Sequence, residues 1–138
     1  MGQRIAVALG AICVVVSPAM AVEPSNFNAG TTRDLVELCS DEPGDPLYVE
    51  AKQFCYGFLA GAAQFHRAMV AGERIEPLAC PKDAVTREQL AGVFLDWAKA
   101  NPQAMDEPPA ESLERAAAGR WPCASRLAAA LRSGAGER

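Results

Sequence analysis

Four cysteines, Cys39, Cys55, Cys80 and Cys123, constrain this chain more than any other feature. No two of them stand in Cys-x-x-Cys spacing, so neither a thioredoxin-type redox centre nor a zinc ribbon has support. A fifth, Cys13, lies in the apolar run Ile5 to Val16, which follows Arg4 and precedes Ala19-Met20-Ala21. A basic start, an apolar run shorter than the roughly 20 residues of a spanning helix, and a small-x-small site are the pattern of a cleaved signal peptide. Residues 1–21 are therefore expected to be removed, and Ile12 is too bulky for Cys13 to be a lipid-attachment site. Export leaves an even set of four cysteines in an oxidising compartment, which reads as two disulfides.

Residues 22–30 show no periodicity and are expected to form a flexible arm. Thr31 then starts a short helix as its cap, with Asp34 in capping-box position, and Leu35, Val36, Leu38 and Cys39 give it an apolar face. After Asp41-Glu42-Pro43-Gly44, Asp45-Pro46 restarts the chain as cap and first helical residue. Leu47, Ala51, Phe54, Cys55, Phe58, Ala62, Phe65 and Met69 recur at three- and four-residue steps. They predict a second helix of about 25 residues, largely enclosed and ended by Gly72.

Thr86 and Gln89 make a capping box for a third helix, with Val85 and Leu90 as its staple and Leu90, Val93, Phe94 and Trp97 facing inward. Asn101-Pro102 stops it. A fourth helix is expected from Pro109, with Leu113, Ala116 and Ala117 inward, closed by Trp121-Pro122-Cys123. Residues 124–138 read as a partly helical tail that frays at Gly134-Ala135-Gly136. No segment alternates as a strand would. The fold class is all-α, a compact bundle of about four main helices stapled by two disulfides.

Four cysteines admit three connectivities. Cys39 ends the first helix, and Cys55 lies about nine residues into the second, roughly 13 Å above its start, so these two helices must cross or their connector must climb back. Cys80 and Cys123 both adjoin a proline on extended segments that are free to meet. Geometry thus favours Cys39–Cys55 and Cys80–Cys123.

Little chemistry remains. The one histidine, His66, has no free thiol to work with once the cysteines pair, and one histidine with paired cysteines makes no soft metal site. The carboxylates follow no calcium-loop pattern, and no glycine-rich loop follows a strand. No catalytic residue, metal or cofactor is expected. The formal net charge of −4 becomes one unit more negative when Arg4 leaves. An acidic chain without a basic cluster argues against nucleic acid and membrane surfaces and suits a basic protein partner. Gly57 and Gly61, four apart in the second helix, read either as a close approach of another helix of this chain or as a homodimer seam, since two glycines there cost about 1 kcal/mol each against alanine.

Leu38-Cys39, Cys55-Tyr56-Gly57-Phe58-Leu59-Ala60-Gly61 and Cys80-Pro81 come first in an ordered set of motifs. Val85-Thr86, Gln89-Leu90, Trp97, Asn101-Pro102, Pro109-Ala110 and Trp121-Pro122-Cys123 complete it. Taken in order, the set resembles the Rap/Tai family of immunity proteins, which neutralise type VI secreted cell-wall amidases. The resemblance covers residues 28–123, within a helical immunity-like domain at 31–123. It implies a periplasmic, non-enzymatic inhibitor, dimeric in many members, that occupies an amidase's active-site groove. The motifs belong to the scaffold, so the contact surface is sought in a connector, where Asp106, Glu107 and Glu111 are the candidates; a solvated, dipole-favoured helix start is the plain alternative for these three. A periplasmic helical protein with a stress or envelope role, without an amidase partner, is the competing function.

Overall fold

The computed structural model describes residues 21–40 and 42–124; the expected signal peptide and nearly all of the tail lie outside them. The described residues form helices α1 (Thr32–Ser40), α2 (Tyr48–Ala71), α3 (Arg87–Ala100) and α4 (Pro109–Arg120), with 3-10 turns at Pro24–Asn28 and Pro102–Ala104 and no strand. The chain is all-α. Cys39 bonds Cys55 and Cys80 bonds Cys123, the pairing that the spacing favours.

Local signals place the helix starts. At α1 the Asp34 N–H donates to Thr31 Oγ1 at 3.2 Å while the Thr31 N–H donates to Asp34 Oδ2 at 2.9 Å, a reciprocal cap. At α3 the Gln89 N–H donates to Thr86 Oγ1 and the Thr86 N–H to Gln89 Oε1, at 3.1 and 2.9 Å. Helix α2 starts later than its Asp-Pro signal: Asp45 accepts the Leu47 N–H at 2.7 Å in a turn ahead of the helix, and Leu47 is the residue in cap position.

The core is one layer of contacts around α1 and α3, which pack on each other; α2 and α4 each pack against both of them. Leu35, Leu59 and Phe94 are fully buried around the Cys39–Cys55 bridge, and Leu38, also fully buried, packs in a second cluster with Ala51. Each such side chain contributes about 1.5–3 kcal/mol on burial. Small residues set the spacing. Ala91 and Ala98 of α3 and Ala116 of α4 are buried, while Trp97 and Val93, expected inward, are only half-buried.

Residues 22–30 are not a loose arm. Pro24 opens a 3-10 turn, Asn26 is buried and donates from Nδ2 to Asp34 Oδ1 at 3.1 Å, and Phe27 stacks edge-on against Phe54 with centroids 5.6 Å apart. Val22 is buried with Leu38 and Ala51. These contacts outweigh the entropy of a segment that has no periodicity to announce it.

Nor is α2 enclosed along its length. Ala51, Cys55 and Leu59 are buried, but no residue from Ala60 to Ala71 is, and Phe65 is 68% exposed. The apolar stripe is therefore half core and half surface. The C-terminal cap of α2 is Gly72, as expected; Gly72 lies at φ −85°, and the left-handed residue is Glu73, at φ 55°. The Glu73 N–H donates to the Val70 carbonyl and the Arg74 N–H to the Met69 carbonyl, both at 3.0 Å, which is a Schellman closure built on a non-glycine residue.

Candidate partner-binding site

The acidic corner lies where the α3–α4 connector meets the start of α1. The first turn of a helix has N–H groups without intrahelical partners. Here the connector supplies the acceptors: the Thr32 N–H donates to the Glu107 carbonyl at 2.8 Å and the Arg33 N–H to the Met105 carbonyl at 2.9 Å. The buried Thr32 hydroxyl donates to the same Glu107 carbonyl at 2.9 Å and lies 2.7 Å from Ser112 Oγ. Asp106 thus projects from between two anchored carbonyls. Its backbone is fixed, so a partner would meet a preorganised carboxylate.

The three candidate carboxylates differ in freedom. Asp106 is 89% exposed and faces Arg33 at 3.4 Å, a long surface ion pair worth at most about 1 kcal/mol. Glu107 and Glu111 share Arg115: Glu107 Oε2 is 2.7 Å from one guanidinium nitrogen, and Glu111 accepts a hydrogen bond from the other. That Glu111 hydrogen bond, with the charges of Glu107 and Glu111 adding to it, holds the Arg115 guanidinium above its ordinary range. Glu107 Oε2 is shut off from solvent, and the Arg115 guanidinium 2.7 Å away is what meets its charge. Glu111, in the first turn of α4, is also favoured by the helix dipole. Sequence reading found the three acids but not their cations: Arg115 is the i+4 neighbour of Glu111 on α4, whereas Arg33 reaches the corner only through the fold.

Gly57 and Gly61 are both exposed, and a Cβ added at either meets nothing within 4 Å. No helix among the described residues approaches them, so close intrachain packing does not account for the pair. His66 is a clip: its Nε2 accepts the Leu78 N–H at 3.1 Å, tying the α2–α3 connector to α2. Among the described residues no group of three or more histidines, cysteines and carboxylates is arranged to hold a metal ion, and no helix is long and apolar enough to cross a membrane.

A second surface was hidden from sequence reading. From Ala62 onward α2 faces α4 across a groove of about 1010 Å³. Phe65, Met69 and Val70 form one wall, Leu113, Ala117 and Trp121 the other, and the α2–α3 connector closes one side. It went unseen because an apolar stripe has the same spacing whether or not another element covers it.

No curated protein and no solved structure matches the chain. The family model for Rap1a immunity proteins matches residues 31–123. The match runs from Thr31, which caps α1, to Cys123, the last disulfide cysteine, and so takes in the whole four-helix unit; the chain belongs to the Rap1a immunity protein family.

Proposed function

We propose that this protein is a periplasmic immunity protein, exported by its signal peptide, that binds and blocks a type VI secreted peptidoglycan amidase. Family membership over the complete disulfide-closed unit carries this reading. Two disulfides are compatible with an exported protein, and the acidic corner supplies a contact surface suited to a basic patch. Asp106 is its leading contact, since Arg33 is its weakly held partner and a cation on the amidase would replace it. Glu107 and Glu111 keep Arg115 in place and shape the rim. The protein acts by occupying the amidase groove and performs no chemistry of its own.

The exposed pair Gly57 and Gly61 supports a homodimer seam, since a bare helix backbone lets a second copy approach closely. The functional test is co-expression with a periplasm-targeted type VI peptidoglycan amidase in a bacterial host. Survival of the host and co-purification of the two proteins are expected. Lysis at full abundance of this chain, with no complex recovered from any amidase tried, would favour the envelope role.

A further inference from the structure

The two bridges differ in their surroundings. Cys39 and Cys55 are both buried, in the cluster that holds Leu35, Leu59 and Phe94. Cys123 is buried too, but Cys80 is exposed and borders an open cleft between the α2–α3 connector, α3 and the end of α4. Thiol–disulfide exchange begins when a thiolate reaches one sulfur of a bridge, so access decides which bridge opens first. The charges around the cleft balance, Lys82 and Arg120 against Asp83 and Asp96, and set no net barrier to an anionic sulfur.

The leaving side is provided for as well. Cys123 Sγ lies 3.4 Å from the Pro77 carbonyl oxygen. In the bridge that sulfur carries no hydrogen to donate. As a thiol it does, so a reduced Cys123 has an acceptor beside it in its buried position. Neither Cys80 nor Cys123 belongs to the core clusters around Leu35 and Leu38. What the bridge holds is the connector. Past the turn that closes α2, the connector's other hydrogen bonds to the body among the described residues are two. The Leu78 N–H donates to His66 Nε2 at 3.1 Å, and the Cys80 N–H donates to the Trp121 carbonyl at 2.8 Å.

We propose that the Cys80–Cys123 bridge is a thiol-exchange site, opened by an incoming dithiol while Cys39–Cys55 stays closed. The first thiolate of the dithiol attacks Cys80 Sγ. The bond to Cys123 breaks, and Cys123 leaves with the electron pair and takes up a proton. The second thiolate of the dithiol then attacks its partner sulfur in the mixed disulfide and expels Cys80, which takes up the second proton. The dithiol ends as a disulfide, with two electrons and two protons delivered to Cys80 and Cys123. Opening leaves the connector on its two hydrogen bonds, so it loosens from α4 while the core around Leu35 and Phe94 keeps its packing. Pro77, Leu78 and Ala79 of the connector line the groove beside α2, which makes the bridge a redox latch on one side of that groove. The claim does not depend on the amidase reading.

The test is limited reduction in native buffer of the protein, expressed with its full sequence and purified with both bridges formed. Dithiothreitol is added, samples are quenched with an alkylating agent over time, and each cysteine is followed by peptide mass mapping. Cys80 and Cys123 are expected to be alkylated at least about tenfold faster than Cys39 and Cys55. Glutathione, a monothiol, should halt the exchange half-way and is expected on Cys80, with Cys123 free. In the selectively opened protein the Leu78 and Cys80 amides should exchange several-fold faster, with α1 and α3 amides unchanged. Cys80→Ser with Cys123→Ser, which removes the latch without any reductant, should reproduce that pattern. Equal rates for the two bridges, or earlier loss of Cys39–Cys55, overturn the proposal. So does glutathione on Cys123, or a connector whose amides are as protected without the bridge as with it.

Discussion

The Thr32 N–H donates to the Glu107 carbonyl at 2.8 Å, and the Thr32 hydroxyl reaches the same oxygen at 2.9 Å, across 75 residues of chain. This contact both caps α1 and fixes the connector that carries Asp106. Thr32→Val keeps the shape and removes the hydroxyl, leaving Ser112 Oγ without its buried neighbour. A loss of about 1–3 kcal/mol is expected in chemical denaturation. The connector amides around Asp106 should exchange faster in the same variant. A variant as stable as the parent would show that the hydroxyl pair is incidental.

The two disulfides should differ in their worth. The Cys39–Cys55 and Cys80–Cys123 bridges span 16 and 43 residues. On the chain-entropy model their loss costs about 3 and about 4 kcal/mol, respectively. Cys80→Ala with Cys123→Ala should therefore destabilise more than an opened loop of the shorter kind, unless packing intervenes. Packing does intervene at Cys55, which is fully buried against Leu35 and Phe94. Cys123 is buried as well but Cys80 is exposed, so replacing Cys39 and Cys55 by alanine should exceed its loop term by more than replacing Cys80 and Cys123 exceeds its own. Urea midpoints of the two double variants decide.

Glu73 occupies the left-handed conformation at φ 55° that closes α2. Glycine adopts it without steric cost. Glu73→Gly should stabilise the protein by about 0.5–1 kcal/mol in thermal or urea unfolding. A destabilised variant would mean that the Glu73 side chain supports the connector in a way its exposure does not suggest.

Asp34 makes acid stability measurable. Burial raises the cost of its charge, but hydrogen bonds from the Asn26 side chain, the Thr31 hydroxyl and the Thr31 and Gly30 backbone outweigh that and hold its carboxyl below the ordinary 3.8. A carboxyl lowered in the folded state stabilises fully above its unfolded value and loses that contribution as pH falls through the folded value. Asp34→Asn should therefore be less stable than the parent near neutral pH. The gap should narrow as pH drops below 3.8. A gap that stays constant from about pH 6 to well below 3.8 would place the effect in packing rather than charge.

Much of this architecture was legible because its signals are local. Thr31 with Asp34 and Thr86 with Gln89 are reciprocal caps readable three residues at a time, and both are formed. The cysteine pairing followed from helix length and the two prolines. What could not be read depends on long-range contact. Asn26 and Phe27 look like loop residues until Asp34 and Phe54 come to meet them. Phe65 and Met69 repeat at the same spacing as Phe54 and Phe58, yet only the first half of that stripe has α1 and α3 to lie on. At the acidic corner the carboxylates were visible from the sequence; Arg115 stands four residues after Glu111 on the same helix, but Arg33 reaches Asp106 only across the fold.

Inhibition of a purified enzyme tests the central claim most directly. The chain, with both disulfides formed, is titrated into type VI peptidoglycan amidases acting on isolated cell wall, beginning with any small cysteine–histidine amidase encoded next to it. The account predicts that one of them is silenced at stoichiometric ratio, and that Asp106→Arg weakens the inhibition by about tenfold or more, as reversal of a contact charge should. Undiminished hydrolysis by every amidase, with the protein folded and in excess, would contradict it.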